Sequence, residues 1–299
     1  MESTTSHIST AADKYSKFTG YLKLTKFGLG GLVVFSAVIT YLTVAVSINW
    51  MQVIALSLGG FLITSAANGF NQIIEKDLDK LMDRTRFRPM ALNILSVNEA
   101  FVFCTIFGIS GTVLLGVYTN PLCGILGFVS MMLYAIVYTP LKRKTPFAVF
   151  VGAFPGALPT LIGGVAATEG FGHITFFAML LFMVQFVWQF PHFWSLAWMY
   201  YDDYAKADFH LLPSKGGKDD FSKFQILVYS VFLLFTSILP FVFHFVGLLS
   251  TAACVICGLA LLLQAYNFYR LPTNENARRL FLVTLIYLPL VQVAFMTKS

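Results

Sequence analysis

Nine apolar runs, near residues 27–47, 51–72, 99–118, 121–140, 147–167, 173–197, 224–245, 248–269 and 280–297, limit what this 299-residue chain can become. Each is about 18 to 25 residues long, enough for a helix to cross a hydrocarbon layer of roughly 30 Å. In lipid a segment must satisfy its own backbone N–H and C=O groups, so such runs fold as helices, and the prolines and glycines inside them are tolerated. A chain that is 57% hydrophobic and only 11% charged falls outside the soluble range. The expected fold class is an all-α integral membrane protein with nine transmembrane helices.

The twenty Lys and Arg residues set the orientation. Lys14, Lys17, Lys23 and Lys26 precede the first run, Lys76, Lys80, Arg84, Arg86 and Arg88 follow the second, and Lys142, Arg143 and Lys144 follow the fourth. Lys206, Lys215, Lys218 and Lys223 follow the sixth, Arg270, Arg278 and Arg279 follow the eighth, and Lys298 alone falls on the other side. The positive-inside rule then predicts a cytoplasmic N-terminus and a C-terminus on the opposite side. The domain reading is a polar cytoplasmic segment over 1–26, one membrane-embedded domain over 27–297 with long cytoplasmic loops near 73–98 and 198–223, and a 298–299 tail. Basic residues spread over these loops, with no recognition module, explain the net charge of +6 without nucleic acid.

Cys104, Cys123, Cys254 and Cys257 all sit in apolar surroundings and complete neither a disulfide framework nor a zinc pattern. Residues 1–26 contain lysine but no arginine, and no cleavable signal is evident. That points to a bacterial cytoplasmic (inner) membrane rather than a mitochondrial inner membrane.

The stretch "NQIIEKDLDKLMDRTRFRP", 71–89, packs four carboxylates and five basic side chains behind an apolar run. If the helix continues, Asn71, Glu75 and Asp79 recur every four residues and share a face, which Asp83 could extend. Carboxylate and amide oxygens suit Mg²⁺ held partly through substrate phosphates. Arg84, Arg86 and Arg88 could grip the same phosphates. A solvated membrane flank is the plainer alternative. A second stretch, "WQFPHFWSLAWMYYDDYAKADFHLLP" at 188–213, supplies Asp202, Asp203 and Asp208 with Tyr204 and Lys206 on the same predicted side. The two clusters could meet and hold a diphosphate through two Mg²⁺ ions, or could be separate helix caps.

These two stretches, together with "YTPLKRKTPFAVFVGAFPGALPTLIGGVAA" at 138–167, resemble the protohaem IX farnesyltransferase (haem O synthase) branch of the UbiA-type intramembrane prenyltransferases. The blocks stand in the family order within a matching nine-span pattern. Asn71, Glu75 and Asp79 occupy the places of the family's first motif, with Glu75 where Asp is more usual. Asp203 and Tyr204, preceded by Asp202, match its second-loop "DY" feature, while Asp208 and His210 replace the usual Gly and Pro.

The resemblance implies transfer of farnesyl from farnesyl diphosphate to the 2-vinyl group of haem B, followed by water addition, with Mg²⁺ and membrane lipids around the site. It assigns Mg²⁺ to Asn71, Glu75, Asp79, Asp202 and Asp203, with Asn71, Glu75, Asp79 and Asp203 catalytic. Arg84, Arg88, Lys142 and Arg143 would neutralise the diphosphate. Gln189, His192 and Tyr204 would bind substrate, and His192 could contact haem, orient a propionate or place water. Trp188, Phe190, Phe193, Trp194, Trp198, Tyr134 and Tyr138 could flank the porphyrin or stabilise an allylic cation. Haem A synthase is the implied pathway partner. A quinone-precursor prenyltransferase, a transporter and an assembly protein are the alternatives.

Overall fold

The structure, a computed structural model, describes residues 16–215 and 217–297. Most of the polar segment expected over 1–26 and the 298–299 tail, including Lys14 and Lys298, therefore lie outside the described residues. Among those described, nine helices are long and apolar enough to cross a membrane. They overlap the nine apolar runs, although the first starts at Lys17 and the last at Asn274, ahead of the runs expected from 27 and 280.

The first span is made of α1 (Lys17–Thr25) and α2 (Phe27–Val44), hinged at Lys26, which takes the left-handed conformation at φ 49°. Helix α3 (Trp50–Ile74) is followed by the short α4 (Lys76–Asp79), and then come α5 (Val97–Tyr118) and α6 (Pro121–Met132). Beyond α6 the chain widens into a π-turn over Leu133–Tyr138 and closes with one α-turn, Thr139–Leu141. Helices α7 (Ala148–Ala166), α8 (Phe176–Met199), the short α9 (Tyr201–Ala205), α10 (Asp220–Val242), α11 (Leu248–Arg270) and α12 (Asn274–Ala294) complete the bundle.

Side-chain caps decide where several helices start, because the first N–H groups of a helix have no partner within it. Ser96 and Glu99 form a reciprocal capping box on α5, and Asn120 caps α6 ahead of Pro121. Thr273 caps α12 at Asn276, so this helix begins before the apolar run expected near 280 and has a polar first turn. Hydropathy alone misses that turn.

Close packing uses small residues, as expected where apolar side chains gain little by leaving lipid. A Cβ on Gly111 would lie 2.8 Å from the Gly59 carbonyl oxygen, and one on Gly163 would run into the Ala37 carbonyl oxygen. Helix α7 also contains Pro155 and Pro159. Pro159 cannot donate to the carbonyl four residues back, and Ser130 Oγ on α6 donates to that Pro155 oxygen instead, at 3.2 Å.

Two buried hydrophobic clusters result. One draws mainly on α2, α3, α5, α6 and α7, the other on α8 and α10–α12 with part of α7. Large apolar side chains such as Leu248, Leu263 and Ile286 cover the outside. Between the clusters lies a cavity of about 500 Å³, walled by α2, α3, α5–α8 and α12.

Gly163→Val should cost about 1–3 kcal/mol by forcing α2 and α7 apart. At Gly31 a Cβ meets nothing within 4 Å, so Gly31→Ala should leave stability nearly unchanged. Thermal unfolding of the detergent-solubilised variants measures the difference.

Candidate active site at the basic end of the cavity

At one end of the cavity four charged side chains alternate in a line. Lys142 Nζ lies 2.9 Å from Glu75 Oε1, Arg88 Nη1 lies 3.8 Å from Glu75 Oε2, and the same nitrogen lies 2.9 Å from both oxygens of Asp79. Glu75, Asp79 and Lys142 are buried. Burial works against the charge on Lys142, but Glu75 outweighs it and raises the lysine pKa above its ordinary value. Burial, reinforced by Glu75, raises Asp79 against the opposing pull of Arg88.

The local fold makes this line. Helix α3 does not run on regularly, because Glu75 leaves helical geometry at φ −93°, ψ 6° and α4 restarts at Lys76. Even so, Glu75 and Asp79 converge on one guanidinium. Asp79 is pinned from behind, as Thr85 Oγ1 donates to its carbonyl. The π-turn brings Tyr134, Tyr138 and Lys142 to the cavity, with Lys142 Nζ 4.7 Å from the Tyr138 ring centre. Such widened turns are frequent at functional sites. Thr139 ties the turn to α3 by accepting from Asn71 Nδ2 at 3.0 Å.

Two more cations reach the cavity. The left-handed hinge places Lys26 at its wall, 3.1 Å from Asn68 Oδ1. Arg84 donates to the Tyr204 hydroxyl at 3.1 Å and sits over the Tyr200 and Tyr204 rings. Among the described residues neither has a carboxylate at ion-pair distance. Lys26 escaped the sequence reading because a lysine ahead of a first span looks like a topology anchor. Its signal was its place at the junction of polar lead and apolar run.

The two acidic stretches do meet. Both carboxylate oxygens of Asp203 accept backbone N–H groups, from Asp83 at 2.7 Å and Arg84 at 3.1 Å, and Lys206 pairs with Asp83 and Asp203. Those hydrogen bonds and Lys206 outweigh burial and lower the Asp203 pKa. Asp203 thus fixes the loop carrying Arg84 and does not line the cavity. Asp202 is exposed, Asp83 pairs outward with Arg86, and Arg143 is exposed 3.9 Å from Asp208. None of these three lines the cavity, whereas Asn71, Glu75, Arg84, Arg88, Lys142, Gln189, His192 and Tyr204 do.

Among the described residues no group of three His, Cys, Asp or Glu side chains is placed to hold a metal. A hard divalent cation is still compatible with what the wall offers. Asn71 spends its amide N–H on Thr139, leaving its oxygen for a ligand, and Glu75 Oε2 has only the loose Arg88 contact. These are oxygen donors only, too few for a closed cage, as suits a small hard ion completed by substrate phosphates and water.

Deeper in, the wall turns apolar and aromatic, with Phe193, Leu196, Phe281 and Leu285 beside Gln189 and His192. The cavity therefore has a cationic mouth and a greasy interior, the shape of a site for an amphiphile with an anionic head. Asp203→Ala would leave the Asp83 and Arg84 N–H groups without their acceptor and free Arg84 to move. The expected result is weaker binding of a diphosphate-headed ligand, by about tenfold for roughly 1.4 kcal/mol lost, read by isothermal titration.

The model of the UbiA prenyltransferase family matches residues 32–289. Protoheme IX farnesyltransferase of Flavobacterium psychrophilum is 42% identical over 298 residues, covering 97% of each chain. That of Cytophaga hutchinsonii is 40% identical over 281 residues, 94% of this chain and 97% of its own. Among solved structures, one of digeranylgeranylglyceryl phosphate synthase superposes with a TM-score of 0.76 at 21% identity, over 94% of this chain and 97% of its own. A UbiA homolog from Archaeoglobus fulgidus bound to GPP and Mg²⁺ gives 0.70 at 13% identity, over 92% and 99%. Sequence and fold agree: the chain belongs to the UbiA prenyltransferase family, in its protoheme IX farnesyltransferase branch.

Proposed function

We propose that this protein is the haem O synthase of a bacterial cytoplasmic membrane, its basic end inside, moving farnesyl from farnesyl diphosphate to the 2-vinyl group of haem B. The observation that carries the chemistry is charge balance at the cavity mouth. Glu75 and Asp79 balance Lys142 and Arg88, while Lys26 and Arg84 stand unbalanced on the same wall. Such a surplus in a half-dry pocket selects an anionic head over a neutral one. The acceptor assignment rests on the relatives, whose shared name is protoheme IX farnesyltransferase.

In the mechanism, Arg88, Lys142, Lys26 and Arg84 offer N–H donors to the diphosphate oxygens as charge builds on the leaving group. Mg²⁺, held by oxygens of Asn71 and Glu75 together with the diphosphate, would neutralise that charge further; Asp79, buried behind the cavity wall with both oxygens on Arg88, anchors that guanidinium. Tyr134 and Tyr138 face the same end, where their rings can stabilise the allylic cation. The vinyl π electrons attack the prenyl carbon, and water captures the resulting cation. The apolar interior keeps bulk water from quenching the allylic cation first. Haem B is a substrate, so no redox role is required of it. Haem A synthase, as consumer of the product, is the proposed pathway partner.

Asp79→Asn should lower haem O formation by about 10²-fold or more, since it removes the charge that anchors Arg88 toward the diphosphate. Chelation of Mg²⁺ should abolish turnover of the wild type, and re-addition should restore it. Purified enzyme given farnesyl diphosphate and competing acceptors tests the substrate. Efficient prenylation of an aromatic acid without haem O would move the protein to the quinone-precursor enzymes, and gradient-driven uptake without product would make it a transporter.

A further inference from the structure

On the apolar side of the cavity two polar side chains are three residues apart on α8, Gln189 and His192. Both are at least nine-tenths buried and both line the cavity. Their hydrogen bonds fix which atoms they can present.

Gln189 Nε2 donates to the Ala153 carbonyl at 2.7 Å and to the Gln185 carbonyl at 3.4 Å. Carbonyl oxygens only accept, so the amide orientation is set and Oε1 is the free atom. It lies against Gly156, where a Cβ would collide with it. For His192, Nδ1 lies 2.9 Å from Thr284 Oγ1, and that hydroxyl donates to the Phe281 carbonyl at 2.6 Å. With its one proton committed there, Thr284 Oγ1 accepts from His192 Nδ1–H, and Nε2 carries the lone pair. Trp188 stacks on one face of the imidazole at 4.4 Å and Phe281 on the other at 4.8 Å. Trp188 is itself held by donation from Nε1 to the Thr284 carbonyl at 2.7 Å. Only the Nε2 edge is left to face the cavity. Neither Gln189 Oε1 nor His192 Nε2 is a buried orphan, as atoms shut off from the cavity would be.

The wall therefore presents two acceptors and no donor, spaced as i and i+3 on a helix, with Cβ atoms about 5–6 Å apart. Such a pair repels a propionate, which brings acceptors of its own. It suits a small molecule with two hydrogens to give. We propose that Gln189 Oε1 and His192 Nε2 hold the water that ends the reaction, with both its hydrogens on the protein and an oxygen lone pair toward the substrate. This inference rests on the haem O synthase reading above.

The step balances as follows. The vinyl terminal carbon bonds to farnesyl C1, and diphosphate leaves with the electron pair of the broken C–O bond. The cation left on the carbon next to the porphyrin takes the oxygen lone pair of the water, and the proton released passes to His192 Nε2. Without the held water, the cation loses a proton from the neighbouring carbon and becomes an alkene.

The test is the product ratio, alcohol to alkene, read by liquid chromatography and mass spectrometry of the haem after turnover of purified enzyme with farnesyl diphosphate, Mg²⁺ and haem B. The two products differ by one water. His192→Phe keeps an aromatic ring but no acceptor, and the ratio should fall by about 10²-fold, the low end for general-base assistance. His192→Gln, which restores an oxygen acceptor, should recover part of it. Thr284→Val removes the partner of Nδ1 and should lower the ratio while the imidazole remains. An unchanged ratio in His192→Phe overturns the proposal, however slow the variant is. If His192→Phe makes no product, an unchanged ratio in Thr284→Val overturns it as well. A wild-type enzyme that makes no farnesylated haem removes the acceptor assignment, and the water site falls with it, whereas wild-type alcohol with indifferent variants removes the water site alone.

Discussion

The alternating line Lys142–Glu75–Arg88–Asp79 is the interaction on which the rest of the site depends. Charges taken out of water cost several kcal/mol each, and mutual attraction offsets that only when partners are close and complete. Removing one member strands the others. A hydrophobic replacement of the whole set would be as stable or more so, so stability alone does not explain it. In the proposed mechanism the line is a store of paired charge from which Lys142 and Arg88 offer N–H donors to the diphosphate.

The frame around that line is built to keep it in place. Thr139 binds the π-turn to Asn71, Thr85 braces Asp79 from behind, and Asp203 clamps the loop that aims Arg84. The bundle end that carries most of the charge is thus also the end most densely cross-linked by hydrogen bonds. Toward the aromatic interior, polar groups become few, and Gln185, Gln189 and His192 are each oriented by hydrogen bonds to neighbouring helices.

Much of this was legible in the sequence, for physical reasons. Lipid leaves a spanning backbone no choice but helix, so the nine apolar runs meet nine helices long and apolar enough to span among the described residues. The four-residue spacing of Asn71, Glu75 and Asp79 brought Glu75 and Asp79 to one guanidinium although the helix breaks at Glu75. What stayed hidden depends on partners far along the chain or on backbone detail. Asp203 reads like a ligand in sequence, yet its oxygens serve two N–H groups about 120 residues away. Lys142 and Arg143 are neighbours in sequence, but a turn sends one into the cavity and the other to the surface. Lys26 enters through a left-handed hinge, and the tautomer of His192 depends on Thr284, 92 residues on.

The division into two buried clusters has an evolutionary consequence. The groups proposed to bind the diphosphate belong almost wholly to the first half of the chain, up to Lys142. The wall proposed to face the acceptor draws on α8 and α12 in the second half. The two tasks meet in one cavity, and the two halves are joined where Met82 packs into the second cluster and Asp203 clamps the Arg84 loop. A lineage could reshape the α8 and α12 wall to admit a different acceptor as long as Asp203 and Tyr204 keep their hold on the Arg84 loop. One scaffold can thereby keep a single leaving group while its repertoire of products diversifies.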